Sequence, residues 1–436
     1  MHLLQQILFI AVFIVAVTAF TIHVRRIRRN ILLGRKAIIR GQAGRRWRNV
    51  LLLALGQQKM FRKPIPAILH LFVYAGFIII NIEIFEIILD GLTGSHRLFA
   101  PFMGQLYNVL IGCFEILAVL VLAGCAAFLA RRNLLRIKRF HSREMTTWPR
   151  SDANYILIME IILMLLFLTM NSADQALQSR GASHYTVTGN FWISTGLAPL
   201  FNNLSDPALV TLERSCWWMH ILGILFFLNY LPYSKHFHII LAFPNAWYAR
   251  LEPKGKMENM PAIQHEVKMM FDPPPAETPQ MPPPEKFGAR DVTDLSWKNL
   301  MDAYSCTECG RCSAACPANQ TGKLLSPRKI MMDTRDRMEA LGKKKSKERS
   351  AEDEQQTLLH GYITAEELNA CTTCNACVEE CPVSIDPLDI ILQLRRYLIM
   401  DEAKAPAEWN AMFSNIENNM APWKFSPDAR DEWINR

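Results

Sequence analysis

What this sequence of 436 residues lacks already limits its fold and its function. No basic region precedes its first apolar run, so that run does not look like a typical cleavable signal peptide. No acidic residue occurs between Thr21 and Pro64, a stretch that is rich in Arg and Lys. The part after residue 295 does not alternate between apolar and polar residues, which disfavours β-strands there. No DNA-binding or signalling pattern is visible, and the net charge of +8 comes largely from loops between apolar runs, which argues against nucleic-acid binding.

Nearly all the long apolar runs lie before residue 245, and five of them are long enough to cross a bilayer, which takes roughly 20 residues. The runs lie near Leu3–Ile22, Ile65–Leu89, Leu106–Ala130, Ala153–Asn171 and Leu212–Tyr233. Because Arg25, Arg26, Arg28 and Arg29 follow the first run, we expect it to be an anchor whose N-terminus lies outside.

The charges of the connecting loops predict an orientation. The loops Thr21–Pro64 and Arg131–Arg150 are basic, whereas Asp90–Gln105 and Ser172–Thr211 carry few cations. The positive-inside rule therefore places the two basic loops in the cytoplasm, and five spans put everything after the fifth run there too. We expect a multi-pass protein of a bacterial or archaeal inner membrane.

A cysteine pattern occurs twice after residue 300. Each copy reads C-x2-C-x2-C-x3-C-P, from Cys306 to Pro317 and again from Cys371 to Pro382. Three thiolates at these spacings can bind three corners of a [4Fe-4S] cubane, and in two-cluster ferredoxins the fourth cysteine binds the other cluster. The predicted ligands of one cluster are Cys306, Cys309, Cys312 and Cys381. Those of the second are Cys371, Cys374, Cys377 and Cys316.

Other interpretations of these cysteines are weaker. Zinc sites use paired C-x2-C modules rather than triplets followed by Cys-Pro. Disulfides are disfavoured where thiols are this dense and the compartment is predicted to be reducing. The remaining three cysteines, Cys113, Cys125 and Cys216, lie in apolar segments and are expected to be small buried residues.

Four histidines, His70, His220, His236 and His238, lie in or next to the apolar runs. A lone intramembrane histidine can simply hydrogen-bond to a neighbouring helix. His220 and His238, however, are 18 residues apart, which is five turns of a regular helix, so they would share one face about 27 Å apart along its axis. His236 is out of phase with them, and Pro232 could kink the helix. Two axial imidazoles from facing helices are one way to hold a b-type haem.

The segment from His220 to His238 resembles the last helix of the respiratory nitrate reductase gamma subunit. Leu69-His70-Leu71 resembles that family's second helix, and the five-span topology is similar. In that family two haems b are stacked across the membrane, each ligated by one histidine from each of these helices. The resemblance therefore implies a haem b held by His70 and His238 near the cytoplasmic face. The family's other ligand on the second helix corresponds to Ile80 here, so His220 has no obvious partner and a second haem stays open.

Four acidic residues fall within or near the spans: Glu83, Glu86, Glu115 and Glu160. Charges at such depth are costly and are functional candidates by default. Glu83 and Glu86 could simply approach the outer interface, whereas Glu115 is in mid-span. A quinone site needs a proton-carrying group near the haem, and the sequence does not choose among the four.

The segments after residue 248 differ in composition. Proline is frequent in residues 249–294, which predicts an extended tether, with a recognition motif for another protein as the alternative. After each cysteine run an N-cap residue and a proline predict a helix, at Ser326-Pro327 and Asp386-Pro387. Thr364 and Glu367 form a capping box that opens a helix. The charged run Lys343–Gln356 is predicted to be a solvated surface insertion.

These patterns together predict an all-α protein. Residues 1–248 would form a five-helix transmembrane haem-binding bundle and residues 249–294 a linker. Residues 295–400 would form an α-helical double-cluster ferredoxin domain rather than the small βαββαβ ferredoxin, and residues 401–436 a C-terminal tail.

Residues 295–400 resemble the C subunit of heterodisulfide reductase and the iron–sulfur subunit of anaerobic glycerol-3-phosphate dehydrogenase. With the gamma-like anchor, the whole chain resembles the membrane-bound heterodisulfide-reductase-related Fe-S oxidoreductases. Many of those continue into cysteine-rich CCG domains that carry the catalytic cluster. This chain has no Cys-Cys pair and no cysteine after Cys381, so we expect the catalytic domain on a partner subunit.

The sequence thus predicts an oxidoreductase subunit that passes electrons between the quinone pool, a haem b, two [4Fe-4S] clusters and a soluble cytoplasmic partner, in either direction. The partner could be a CCG-domain protein, an electron-transfer flavoprotein or a dehydrogenase. One alternative is a redox-sensing membrane regulator without net electron flux. Another, a structural zinc-bearing anchor, is disfavoured by the cysteine spacing.

Overall fold

The structure, a computed structural model, describes residues 3–185, 187–253, 255–271, 286–344, 356–424 and 426–435. Within these ranges the chain is α-helical and contains isolated β-bridges but no β-strand, which confirms the predicted fold class. The first nine regular helices are α1 (Leu3–Ile31), α2 (Ala43–Asn49), α3 (Pro64–Thr93), α4 (Ala100–Met103), α5 (Gln105–Asn133), α6 (Thr147–Ser179), α7 (Ser194–Leu197), α8 (Asp206–Tyr230) and α9 (His238–Trp247). They are followed by α10 (Pro261–Phe271), α11 (Trp297–Ser305), α12 (Arg311–Ala315), α13 (Pro317–Gln320), α14 (Pro327–Lys343), α15 (Ala365–Asn369), α16 (Ala376–Glu380), α17 (Pro387–Arg396) and α18 (Ala407–Asn419).

Five of these helices, α1, α3, α5, α6 and α8, are long and apolar enough to cross a membrane, as predicted. They are longer than the apolar runs, most clearly α6, which continues past the predicted end at Asn171 to Ser179. The extra turns are polar but buried, with Asp174, Gln175 and Gln178 among them. Helix length is therefore set by polar pairing inside the bundle as well as by apolar sequence.

The bundle core lies where α5, α6 and α8 pack together, and Ile111, Phe114, Phe167 and Ile221 are at most 1% exposed there. Cys125 and Cys216 are buried as predicted, but Cys113 is exposed. The prediction for Cys113 is wrong because an apolar residue of a spanning helix can also point out of the bundle, where lipid replaces water and exposure costs little.

The fifth span does not continue as one helix to His238. After α8 ends at Tyr230, two 3-10 turns follow, at Leu231–Tyr233 and Lys235–Phe237, and α9 begins at His238 itself. Pro232 lies in the first turn, and Ser234 between the turns is extended, with φ −110° and ψ 152°. The prediction that His220 and His238 share one helix face is therefore wrong, because a spacing of whole turns has that meaning only in an uninterrupted helix.

The linker is less extended than predicted, because Pro261 to Phe271 form α10. Most of its prolines fall in residues 272–285, which lie outside the described residues, as does 345–355 of the charged run. The local signals after residue 295 are confirmed. Ser326 and Asp386 cap α14 and α17 with proline in the first turn, and Thr364 and Glu367 form the capping box of α15.

The cysteine-rich half packs directly on one end of the bundle. One apolar core joins Ile27 and Ile31 of α1 and Leu241 of α9 to Leu300 and Leu341 of the cysteine-rich half. This end carries the two basic loops, and we call it the basic end of the bundle. The cysteine runs are thus packed against the candidate membrane helices and are not separated from them by an extended linker.

Candidate functional site

The two cysteine runs form the same kind of turn, with left-handed residues at matching places. In the first, Glu308 and Gly310 adopt left-handed conformations with φ of 51° and 71°. In the second, Thr373 and Asn375 do the same, with φ of 54° and 60°. A short helix follows each turn, and these two helices, α12 and α16, pack against each other. The packing brings the last cysteine of each run to the other run.

The first group of thiols consists of Cys306, Cys309, Cys312 and Cys381. Burial raises the pKa of Cys306 to about 12, and Glu308, Cys309 and Cys381 lie close enough to add to that rise. Burial also raises the pKa of Cys381 to about 11, and Cys309 lies close enough to add to that rise. Cys381 therefore lies among the thiols of the first run, although it ends the second.

The second group surrounds a cavity of about 300 Å³, its open mouth included. Its sulfur-bearing lining is Cys316, Cys371, Cys374 and Cys377, and the remaining walls include Leu325, Pro327, Leu388 and Ile391. Cys316 and Cys377 are buried, whereas Cys374 is exposed. The second group therefore opens to solvent, while Cys306 and Cys381 of the first group are both buried.

Backbone N–H groups point at these sulfurs. The N–H of Thr373 donates to Cys371 Sγ over 3.4 Å, and that of Ile385 donates to Cys381 Sγ over 3.3 Å. Hydrogen bonds to cluster sulfurs are one means by which a protein sets the reduction potential of an iron–sulfur cluster. Because the buried thiols have raised pKa values, metal loading must release protons.

The thiols are not gathered as they would be around a single ion. Among the described residues, no three His, Cys, Asp or Glu side chains converge closely enough to hold one metal ion. In a [4Fe-4S] cluster each cysteine binds a different iron atom, so the four sulfurs stand further apart. The donor set, the two groups of four and the cavity fit clusters.

The structure brings His70, His236 and His238 together at the basic end of the bundle. The rings of His236 and His238 are 5.3 Å apart, nearly perpendicular at 79°, and His70 lies within electrostatic reach of His238 and Arg311. His70 Nδ1 is 2.9 Å from Gln57 Oε1, and His238 Nδ1 is 3.0 Å from the Lys235 carbonyl oxygen.

These hydrogen bonds define which nitrogen could bind a metal. Both acceptors are carbonyl oxygens, so Nδ1 of each ring carries the proton and Nε2 keeps its lone pair. A histidine that binds a metal through one ring nitrogen almost always donates its other N–H in this way. His70 and His238 thus have the hydrogen bonding that is typical of metal-binding histidines.

His220 lies apart from that group, deep in the bundle and 1% exposed. Its Nδ1 is 3.0 Å from the Leu163 carbonyl oxygen, while Nε2 is buried without a hydrogen-bond partner. Ile80, the residue that would have to be a histidine for the implied second haem, is buried in the apolar core. His220 therefore has the same protonation pattern as His70 and His238, but no second imidazole at that position.

The four acidic residues of the spans have different surroundings. Glu115 accepts hydrogen bonds from the backbone N–H groups of Ile193 and Ser194, so it holds a loop to the bundle. Glu86 accepts from the Tyr107 hydroxyl and the Phe99 N–H and has a similar structural role. Glu83 keeps one buried carboxylate oxygen without a partner. Of these three, Glu83 is therefore the better candidate for a proton-carrying group.

Sequence reasoning missed the polar contacts between the two halves. Lys235 Nζ pairs with Glu308 Oε2 at 2.7 Å, Lys59 Nζ donates to the Cys381 carbonyl oxygen over 3.1 Å, and Arg328 pairs with Glu144 at 2.7 Å. The sequence signals for the first pair are a lysine beside two histidines and a glutamate inside a cysteine run. Neither signal predicts which residue the charged side chain will pair with, because the two residues are far apart in the chain.

Comparisons with known proteins agree with this site. The family model of the 4Fe-4S dicluster domain matches residues 302–385, which span both cysteine runs. The probable iron-sulfur-binding oxidoreductase FadF of Bacillus subtilis is 28% identical over 98% of this chain and 60% of its own length. The EtfAB:quinone oxidoreductase of Syntrophomonas wolfei is 26% identical over 88% of this chain and 53% of its own length.

A shorter match covers the cysteine-rich half. The C subunit of the ferredoxin/F(420)H(2)-dependent CoB-CoM heterodisulfide reductase of Methanosarcina acetivorans is 35% identical over 24% of this chain and 52% of its own length. No solved structure matches the chain. This chain spans little more than half the length of the two long relatives.

Fold, site and comparisons define the class of protein. It is a helical protein with five candidate membrane spans and a 4Fe-4S dicluster domain. Its relatives are iron–sulfur oxidoreductases and a subunit of a larger redox complex. The comparisons support an electron-transfer role and two [4Fe-4S] clusters, and the predicted resemblance to the C subunit of heterodisulfide reductase is confirmed.

Proposed function

We propose that this chain is the membrane subunit of a quinone-linked oxidoreductase. It would bind one haem b through His70 and His238, and two [4Fe-4S] clusters through its two cysteine groups. These groups would pass single electrons between the quinone pool and a soluble cytoplasmic partner. The observation that carries the proposal is the placement of the first cysteine group against the three histidines at the basic end of the bundle, with Cys374 of the second group exposed.

This placement supports a particular order of electron transfer between the cofactor sites. Arg311, inside the first cysteine run, lies within electrostatic reach of His70, so the first cluster site is next to the haem site. The second site is the more exposed one, and a soluble partner can reach it. Electrons would then pass between quinone and the haem site, on to the first and second cluster sites, and from there to the partner, or in the reverse direction.

The relatives support the nature of the partner. The name of the Syntrophomonas wolfei relative couples an electron-transfer flavoprotein to quinone, and both long relatives contain sequence that this chain does not span. We propose that an electron-transfer flavoprotein, a CCG-domain protein or a dehydrogenase meets the exposed second cluster site, and that catalytic chemistry takes place there or on a further subunit.

The cofactor content tests this function directly. Protein purified anaerobically in detergent should contain about eight iron and eight acid-labile sulfide per chain, because each cubane holds four of each, together with one haem b. Iron, sulfide and haem are measured chemically and by absorption spectroscopy. Clusters without haem would instead favour the redox-sensing regulator, and stoichiometric zinc without sulfide would contradict both.

The orientation is open to an independent test. A reporter fused after Arg436 should read cytoplasmic, and one inserted within Ser172–Thr211 should read external, because the basic loops lie at the end that carries the cysteine-rich half. Paired reporters that are active on only one side of the membrane make the measurement. The reverse pattern would place both the cysteine groups and their partner outside.

A further inference from the structure

A buried ion pair joins the histidine segment to the first cysteine run. Lys235 Nζ and Glu308 Oε2 are 2.7 Å apart, and their side chains are 7% and 3% exposed. Lys235 directly precedes His236 and lies three residues before His238, while Glu308 lies between Cys306 and Cys309. The contact therefore connects the backbone segments that carry the proposed ligands of two different cofactors.

The pair belongs to a network that leaves neither partner free to move. Lys235 Nζ also donates to the Pro149 carbonyl oxygen over 2.5 Å and lies 3.9 Å from Asp152 Oδ2. The other oxygen of Glu308 accepts from Arg335 Nη2 over 2.7 Å. Two buried carboxylates thus face the buried Lys235 and the largely buried Arg335, which is the arrangement that lets charges persist in a low-dielectric site.

The second cysteine run shows that the cysteine turn can form without a residue like Glu308. Thr373 occupies the same place in the second cysteine run, with φ of 54° against 51° for Glu308. Among the described residues, its hydroxyl donates only to the neighbouring Thr372 carbonyl oxygen, over 2.7 Å. A four-cysteine turn of this kind therefore forms without an acid at this place, and the acid occurs in the run that faces the histidines.

We propose that Lys235 and Glu308 are positioning residues that hold the first cluster site against the haem site and set its electrostatic environment. This inference rests on the proposed function, because it presupposes both cofactors. The pair would hold donor and acceptor at a short, reproducible separation. Its two charges would act on the potential of the first cluster in opposite directions, since potential depends on nearby charge.

The test compares three variants of the full-length protein: Glu308→Thr, which copies the second run, Lys235→Met, and the double variant. Glu308→Thr should raise the midpoint potential of the first cluster in an EPR redox titration, because a negative charge is removed. Lys235→Met should lower it, and the double variant should lie between them, near the unmodified protein. If the pair had a merely structural role, the two single variants would not shift the midpoint potential in opposite directions.

Positioning is measured separately from potential. In all three variants, deuterium uptake should rise in peptides that cover residues 304–312 and 234–240. Electron transfer between haem and first cluster should slow, because the rate of electron tunnelling falls as the separation of donor and acceptor grows. Lys256→Met, which breaks the exposed pair between Lys256 and Glu252, is the matched control and should change none of these quantities.

The outcomes separate this inference from the function on which it rests. If unmodified protein lacks haem or clusters, the proposed function fails before any variant is compared. If it carries both, and the single variants shift the potential in the same direction or not at all, the inference is overturned. Should Glu308→Thr fail to accumulate, Glu308→Gln removes the same charge with nearly the same shape and must raise the potential.

Discussion

Replacing either His70 or His238 by alanine is expected to abolish the haem b that we propose these two residues hold. Nδ1 of each ring lies within hydrogen-bond distance of a carbonyl oxygen, of Gln57 and of Lys235 respectively, which leaves Nε2 available to bind iron. A low-spin haem b needs both axial imidazoles, so loss of one removes the site rather than weakening it. The low-spin absorption bands and the extracted haem per chain should therefore fall to background in both variants.

Two other histidines are the matched controls for this experiment. His220→Ala should leave the spectrum unchanged, because His220 bonds to Leu163 far from the basic end of the bundle. His236→Ala should cost less haem than His238→Ala, although its ring is 5.3 Å from that of His238. Loss of all haem in His236→Ala or His220→Ala, with His238→Ala tolerated, would mean that the ligands are paired wrongly. Two haems per chain would require a second partner for His220.

Cys316→Ser should destroy the cluster that is remote in sequence and spare the one beside it. Cys316 lines the same cavity as Cys371, Cys374 and Cys377, although it closes the first cysteine run. We expect half of the iron and sulfide to be lost, with the EPR signal of one reduced cluster retained. Cys381→Ser should remove the other cluster, because Cys381 lies beside Cys309.

Cys125→Ser is the control for handling and folding. Cys125 is buried in the bundle, away from both cysteine groups, so this variant should keep both clusters. Cys306→Ser and Cys371→Ser identify the EPR signals of the first and second cluster. The crossed assignment would be contradicted if Cys316→Ser removed the signal of the first cluster and left that of the second intact. That result would mean that each run binds its own cluster.

The spans and the caps were predictable because both depend on nearby residues. A stretch of about 20 apolar residues is stable in a bilayer only as a helix, whatever its neighbours are. The caps at Ser326 and Asp386 likewise satisfy N–H groups three residues away. The break after Tyr230 was harder to predict, because Pro232 only permits a break and the surrounding packing decides whether the helix resumes in phase.

The sequence by itself determined the all-α class, the five candidate spans and the two cysteine runs, because each depends on composition and spacing within a few turns of chain. Only the tertiary structure decided that the cysteine-rich half packs on the basic end of the bundle, and that Lys235 meets Glu308. Residues so far apart in the chain meet only when whole elements dock. The docking depends on the combined apolar surface and charge of many residues, and no single stretch of the chain contains that information.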